Sequence, residues 1–170
     1  MHTLEMYKLD GRVALVTGGG HGIGRHLSIG LAEAGADVVL VGRKLAPLQE
    51  VAECIEALGR SAWVMQADMS DLGAIDTLLA TLAERVPRLD ILVNNAAMMW
   101  VAPTLEYPMG GWDKVFNLNV RGLFYLSQQA AIRMKAQGGG SIINISSISA
   151  WRSATDAVEP VVAYNASKGA

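Results

Sequence analysis

Cysteine is almost absent: Cys54 stands alone in 170 residues. That excludes an internal disulfide framework and a cysteine-rich metal site, and it fits a reducing compartment. Excess charge of one sign is missing too, since 14 Lys and Arg against 16 Asp and Glu leave a net charge of −2. Such a balance gives no reason to expect nucleic acid or an anionic membrane as partner. No apolar run approaches the ~18 residues of a membrane-crossing helix. The opening MHTLEMYKLDGR has no apolar core of signal-peptide length. Repeats, low-complexity tracts and internal linkers are lacking as well. The expectation is a cytoplasmic protein that forms one domain over residues 1–170.

What is present is apolar: 51% of residues are hydrophobic and 18% charged. Strands covered on both faces read as continuous apolar runs, so this excess suits a parallel sheet. RVALVT, DVVLVG, SAWVMQAD, LDILVNNAA and SIINISS read as five strands. Helical patterns separate them. Ile23, Leu27 and Leu31 recur at steps of four up to Gly35, and Leu48, Val51, Ala52, Ile55 and Leu58 share one face up to Gly59. Ser70 is placed to cap a helix with Ile75, Leu78, Leu79 and Leu82 on its buried side. Residues 111–137 read as a long helical stretch, 150–162 as a loop, and YNASKGA opens another helix. Strand and helix alternate without a hairpin signal. That predicts an α/β fold, a doubly wound parallel sheet with right-handed crossovers and helices on both faces.

The chemistry gathers at the strand ends. TGGGHGIG follows the first strand and places Gly18, Gly22 and Gly24 as G-x-x-x-G-x-G before a helix. Glycines there permit a tight turn and let backbone N–H groups approach a pyrophosphate; a plain structural turn is the competing reading. The second strand ends in VGRK, with Gly42 where an acid would bind the adenosine ribose. Arg43 can bind a 2′-phosphate through paired hydrogen bonds, or else Arg43 and Lys44 are a solvated pair. His21 can add a donor or stay solvated. Asp68 ends the third strand, as a ligand contact or as part of a capping turn. Asn94 and Asn95, ending the fourth, can satisfy local backbone groups instead.

Five stretches, in order, resemble the short-chain dehydrogenase/reductase family, from about Leu9 to the last residue. TGGGHGIG resembles its cofactor loop, with the glycine spacing of the shorter branch rather than the extended one. ADMS resembles the stretch whose aspartate contacts adenine, here Asp68. NNAA resembles Asn-Asn-Ala-Gly, with Ala97 in place of the final glycine. WDKVFNLNVRG resembles the segment with the catalytic asparagine, and its Trp-Asp and closing glycine put that role on Asn119 rather than Asn117. INISSIS resembles the catalytic-serine strand, and YNASK the Tyr-x-x-x-Lys signature.

The resemblance implies a Rossmann-type three-layer fold that binds NADP(H) by preference, with NAD(H) as the alternative. Its cofactor contacts would be Gly18, Gly20, His21, Gly22, Ile23, Gly24, Arg43, Asp68, Met69, Asn95 and Ala96, joined by Tyr164 and Lys168. Asn119, Ser147, Tyr164 and Lys168 would be catalytic, and no metal is required. A tyrosine titrates near ~10, and a lysine one turn along the same helical face favours its phenolate. Tyr164 would pass a proton to a carbonyl, or take one from an alcohol, as hydride moves. Lys168 would also hold the nicotinamide ribose, and Ser147 would position the carbonyl oxygen. Asn119 would hold a water linking Lys168 to solvent. Alternation along a strand puts Ser147 and Ser149 on one side, so Ser149 competes for the serine role.

The substrate would be a small carbonyl compound or alcohol, with 3-oxoacyl thioesters and sugars or polyols both open. A dinucleotide-binding module without turnover is the rival reading. The stretch from Ser147 to Tyr164 is longer than usual for the family and is expected to bulge over the substrate mouth. Met98, Trp100 and Trp151 are candidates for the substrate wall, or for buried packing. Family domains continue past YxxxK with the rest of that helix, two more strands and a mobile segment. The chain is therefore expected to be C-terminally truncated, its missing strands leaving the fifth as an exposed apolar edge. The family analogy also implies a homodimer or homotetramer at full length, through the helices near Trp112 and Tyr164.

Overall fold

The computed structural model describes residues 3–152 and 160–170. A 3-10 turn at Thr3–Tyr7 precedes strand β1 (Val13–Thr17), helix α1 (Gly22–Glu33) and strand β2 (Asp37–Gly42). Helix α2 (Leu45–Ala57), strand β3 (Ala62–Gln66), helix α3 (Leu72–Arg85) and strand β4 (Ile91–Asn94) follow. Helices α4 (Met109–Phe116) and α5 (Leu123–Ala136) are joined by a π-helical segment, Asn117–Gly122. Strand β5 (Ser141–Asn144) and helix α6 (Val162–Gly169) complete the order. The part of the expected 150–162 loop that spans 153–159, and its bulge over a substrate mouth, lie outside the described residues.

All strand pairs are parallel, in the order β3-β2-β1-β4-β5. The doubly wound sheet expected from the alternation of apolar runs is therefore present. Neighbouring residues of β1 serve opposite faces. Ala14 and Val16 join Val38, Leu40, Leu48, Val51 and Ile55 on the face covered by α1 and α2. Val13 and Leu15 join Val39, Val41, Ile75, Leu82, Leu126 and Met134 on the face covered by α3 and α5. Each such aliphatic side chain contributes about 1.5–3 kcal/mol on leaving water. After β3 the chain returns to the far side of β1, so connections on either side of β1 run in opposite directions. That opens a crevice at the strands' carboxyl ends.

Several sequence expectations shift. Of the periodic residues of α1, Leu27 and Leu31 pack partly buried against the core while Ile23 is 64% exposed, and the fully buried stripe is Gly24, Ser28 and Ala32. Small residues face the sheet because the helix lies close against the loop that begins it. Leu58 sits just past the end of α2 and is exposed, as Gly59 (φ +75°) turns the chain away. Asp71, not Ser70, caps α3: its Oδ1 accepts from the Gly73 N–H at 2.9 Å. β5 ends at Asn144, and residues 148–150 form a 3-10 turn, so strand alternation does not reach the serines. β5 is a sheet edge, with Ile142 and Ile143 exposed at 37% and 45%. Among the described residues no helix is long and apolar enough to cross a membrane.

The opposite end of the sheet is held by one buried carboxylate. Asp90 Oδ2 accepts from the Val13 N–H at 2.9 Å and Arg88 Nε at 2.7 Å, and Oδ1 accepts from Arg12 Nη1 at 2.9 Å. Its backbone donates to Val13 O and accepts from Ser141 N, tying β1, β4 and β5 together. Burial alone would raise this carboxyl, but hydrogen bonds from Arg88, the Val13 N–H and Arg12 outweigh it and lower it below the usual range. A lowered carboxylate stabilises the fold above its unfolded value, near ~3.9, and loses that contribution as pH falls through the folded value. Asp90→Asn should cost about 1.5–3 kcal/mol at neutral pH and flatten the decline in stability below pH ~4. Urea unfolding between neutral and acid pH checks this; parallel acid limbs for both proteins would contradict it.

Candidate active site

The carboxyl edge of the sheet carries a cleft of about 740 Å³. Gly18, Gly20, His21, Arg43, Asp68, Met69, Asn95 and Ala96 all line it, so eight of the expected cofactor residues meet in one place. Gly22, Ile23 and Gly24 form the first turn of α1 beside the cleft without lining it, and Ile23 lies exposed. Pro47, Leu48 and Leu118 also line the cleft. The sequence reading missed them as site residues, because buried aliphatics of a helix face carry no separate signal.

The loop's shape follows from its glycines. Gly18 has φ +67°, a left-handed conformation that disfavours a side chain. A Cβ on Gly24 would come within 2.2 Å of the Gly18 carbonyl oxygen and 2.5 Å of Asn95 Nδ2. Helix α1 thus begins against the backbone of its own loop. His21 is the N-cap but makes no side-chain capping bond. The first-turn N–H groups of an α-helix have no intrahelical acceptors, and they suit an anion.

Two side chains, Thr17 at the end of β1 and Asn95 just past β4, tie this loop to the end of β4. Asn95 Nδ2 donates to the carbonyls of Thr17 at 2.9 Å and Gly18 at 3.3 Å. The Thr17 hydroxyl donates to Val93 O and accepts from the Asn95 and Ala96 N–H groups, at 3.0 Å each. Asn95 therefore contributes by holding the loop's backbone, the local role its position also allowed. Asn94 instead bonds side chains, donating to Ser127 Oγ on α5 and Asn144 Oδ1 on β5. Thr17 escaped the sequence reading; its signal was a hydroxyl ending an otherwise apolar strand.

The rim of the cleft is charged. Arg43 and Lys44 are exposed there. Asp68 Oδ1 accepts from the Ser70 N–H at 2.9 Å and the Ser70 hydroxyl at 2.7 Å. Burial would raise the Asp68 carboxyl, but these bonds and the Arg43 charge lower it, keeping an anion there at neutral pH. Asp68 thus belongs to a turn before α3 and lines the cleft at the same time.

The other candidate centre lies around α6. Tyr164 and Lys168 are partly buried, and Lys168 Nζ stands 5.8 Å from the tyrosine ring centroid. Nζ also donates to Ile145 O at 2.6 Å, just past β5. Burial pushes the Lys168 ammonium below the ordinary lysine range. The turn at 148–150 packs on this helix. Ser147 caps that turn, its Oγ accepting from the Ser149 N–H at 3.1 Å. An oxygen that accepts from backbone keeps its own proton to donate. Ser146 instead donates to Lys168 O.

Asn119 sits in the π-helical segment, 5% exposed. Its Oδ1 accepts from Met98 N, and its Nδ2 donates to Met98 O and Ser167 Oγ, all at 2.9 Å. Both amide protons are thereby used within the protein. Ser167 in turn donates to Tyr164 O at 2.8 Å. The carboxamide joins the segment after β4 to the helix with Tyr164. Ser167 was missed in the sequence, where it reads as one of the variable positions between tyrosine and lysine.

The three candidates for a substrate wall or for packing have different surroundings. Trp100 packs on Gly111 with Lys114 Nζ 5.0 Å from its ring, and Tyr107 donates to its carbonyl. Trp151 is 89% exposed, while Met98 packs against the core. Among the described residues no group of three or more His, Cys, Asp or Glu side chains is placed to hold a metal.

Known proteins are similar to this chain in sequence and in fold. The short chain dehydrogenase family profile matches residues 12–170. A 2-dehydro-3-deoxy-D-gluconate 5-dehydrogenase from Dickeya dadantii is 38% identical over 98% of this chain and 64% of its own length. The rhamnolipids biosynthesis 3-oxoacyl-[acyl-carrier-protein] reductase of Pseudomonas aeruginosa is 39% identical over 96% of this chain and 64% of its own. A solved gluconate 5-dehydrogenase from Burkholderia cenocepacia, in complex with NADP and tartrate, superposes with a TM-score of 0.90 at 34% identity. That match covers 99% of this chain and 64% of the other. The chain thus spans a little under two thirds of these relatives. With the glycine loop, the parallel sheet and the profile match in agreement, the chain belongs to the short-chain dehydrogenase family.

Proposed function

We propose that this chain carries the cofactor site and proton-transfer centre of an NADP(H)-dependent oxidoreductase that interconverts a ketone and a secondary alcohol. The observation that carries the reading is the single cleft where the α1 N-terminus, the Arg43 rim and the Asp68 turn meet. NADP in the Burkholderia relative supports the cofactor. The residues present fit it: first-turn amides of α1 suit a pyrophosphate, and Arg43 suits a 2′-phosphate that no acid at position 42 repels. Asp68, Met69 and Ala96 would flank the adenine side of the cleft, and Lys168 would hold the nicotinamide ribose. When bound, the nicotinamide supplies or accepts the hydride.

The chain's own residues handle the proton. In the reducing direction the Tyr164 hydroxyl gives its proton to the carbonyl oxygen. Ser147 donates a hydrogen bond to that oxygen and positions it, its lone pair engaged by the Ser149 N–H. The Lys168 ammonium supplies positive charge beside the tyrosine ring. Asn119 keeps the π-helical segment against α6, and its side-chain bonding favours this bracing over direct binding of a water. For substrate, the gluconate and 2-dehydro-3-deoxy-D-gluconate enzymes favour a hydroxy or keto sugar acid. The acyl-carrier-protein reductase keeps 3-oxoacyl thioesters as second reading.

The shared sheet supports treating residues 1–170 as a single domain unit. Phe124 and Ile132, exposed on α5, support self-association of the complete protein through that helix. A cytoplasmic location fits the lone cysteine.

NADPH oxidation at 340 nm, followed with keto sugar acids and 3-oxoacyl thioesters, tests the reading. Tyr164→Phe should lower kcat by about 10²–10⁴-fold and leave NADPH binding in place; unchanged turnover would refute the proton-transfer role. Cofactor bound without any turnover on either panel would favour the non-catalytic module. Arg43→Asp should weaken NADPH at least about tenfold more than NADH. Equal losses for the two cofactors would remove the 2′-phosphate contact.

A further inference from the structure

The turn between β2 and α2 that presents Arg43 and Lys44 is held from the neighbouring strand. Gly42, at the end of β2, pairs in register with Gln66 at the end of β3. Adjacent strands lie about 4.8 Å apart, so a side chain at position 66 can cross to the rim that Gly42 leaves bare. Gln66 does so, its Nε2 donating to the Arg43 carbonyl oxygen at 2.8 Å. A carbonyl partner requires the amide to present its NH₂ there. One residue on, the Ala67 N–H donates to Gly42 O at 3.1 Å. Next to it, Asp68 lies within the influence of the Arg43 charge. Two successive residues at the end of one strand, Gln66 and Ala67, therefore hold one turn.

Arg43 itself is exposed on the cleft, and among the described residues its guanidinium has no hydrogen-bond partner. The turn fixes the point from which it reaches into the cleft. Gln66 is exposed and does not line the cleft, so it reaches a ligand only through the turn. Resting on the NADP(H) reading above, we infer that Gln66 is a positioning residue for cofactor choice. By holding the Arg43 carbonyl it aims the Arg43 guanidinium at the adenosine 2′-phosphate. An amide suits this place and a carboxylate does not. Glutamate at 66 would repel the Arg43 carbonyl and draw the guanidinium away from the phosphate.

Fluorescence titrations with NADPH and NADH test this on the whole chain, without turnover. Gln66→Met should weaken NADPH about three- to tenfold and change NADH by less than about twofold. Gln66→Glu should weaken NADPH further. In an Arg43→Ala background, Gln66→Met should change NADPH affinity by less than about twofold, because the residue it aims is gone. An unaltered NADPH affinity in Gln66→Met overturns the inference. So does an equal loss for both cofactors, or an undiminished effect without the Arg43 side chain. Arg43→Ala distinguishes the underlying reading: if it weakens NADPH and NADH alike, the 2′-phosphate contact falls, and the role of Gln66 with it.

Discussion

The approach of Gly24 to the Gly18 carbonyl is the constraint on which the rest of the binding edge depends. A Cβ there would lie 2.2 Å from that oxygen, so α1 can start against its own loop only with glycine at this position. The same closeness explains why α1 buries Gly24, Ser28 and Ala32 and leaves Ile23 outside. It also explains what Asn95 and Thr17 do. With the loop folded tightly, its carbonyls and the amides after β4 need partners, and these two side chains supply them. The cleft follows from the seam between β1 and β4, where the winding of the sheet reverses.

The order and type of the elements were legible because both faces of the sheet are covered. The five apolar runs read as strands of one sheet, although β5 lies exposed at its edge, and the periodic stretches between them read as their crossovers. What the sequence concealed were matters of competition between neighbours. Ser70 and Asp71 are both good caps, but Asp68 takes the Ser70 hydroxyl, leaving Asp71 to cap α3. The long stretch from 111 reads as one helix, and helical it is, yet periodicity does not reveal that its middle is a π turn placing Asn119 inward. At the serines, strand alternation was the wrong rule, because the chain leaves the strand at Asn144 and turns.

The candidate site divides along the same line. Residues set by backbone geometry, the glycines and the strand-end Arg43 and Asp68, could be located from spacing alone. Residues that act by bridging distant segments could not. Ser167 is informative only once Asn119 lies beside it, and Gln66 only once β3 lies beside β2. The result is a cleft at the sheet's carboxyl edge braced from β3 and from the segment after β4, and a helix with Tyr164 and Lys168 braced from the π-helical segment and from Ile145. The Gln66, Asn95 and Asn119 braces use neutral amides, each bonded to backbone, whereas the Ile145 brace is the Lys168 ammonium itself.

The central claim is that one dinucleotide spans these two halves. A crystal structure of the chain with NADP⁺ tests it most directly. The account predicts the pyrophosphate over the first turn of α1, the 2′-phosphate against Arg43, and the nicotinamide ring on the Tyr164 side of the cleft. A dinucleotide bound elsewhere, or one whose nicotinamide end points away from Tyr164 and Lys168, would contradict it.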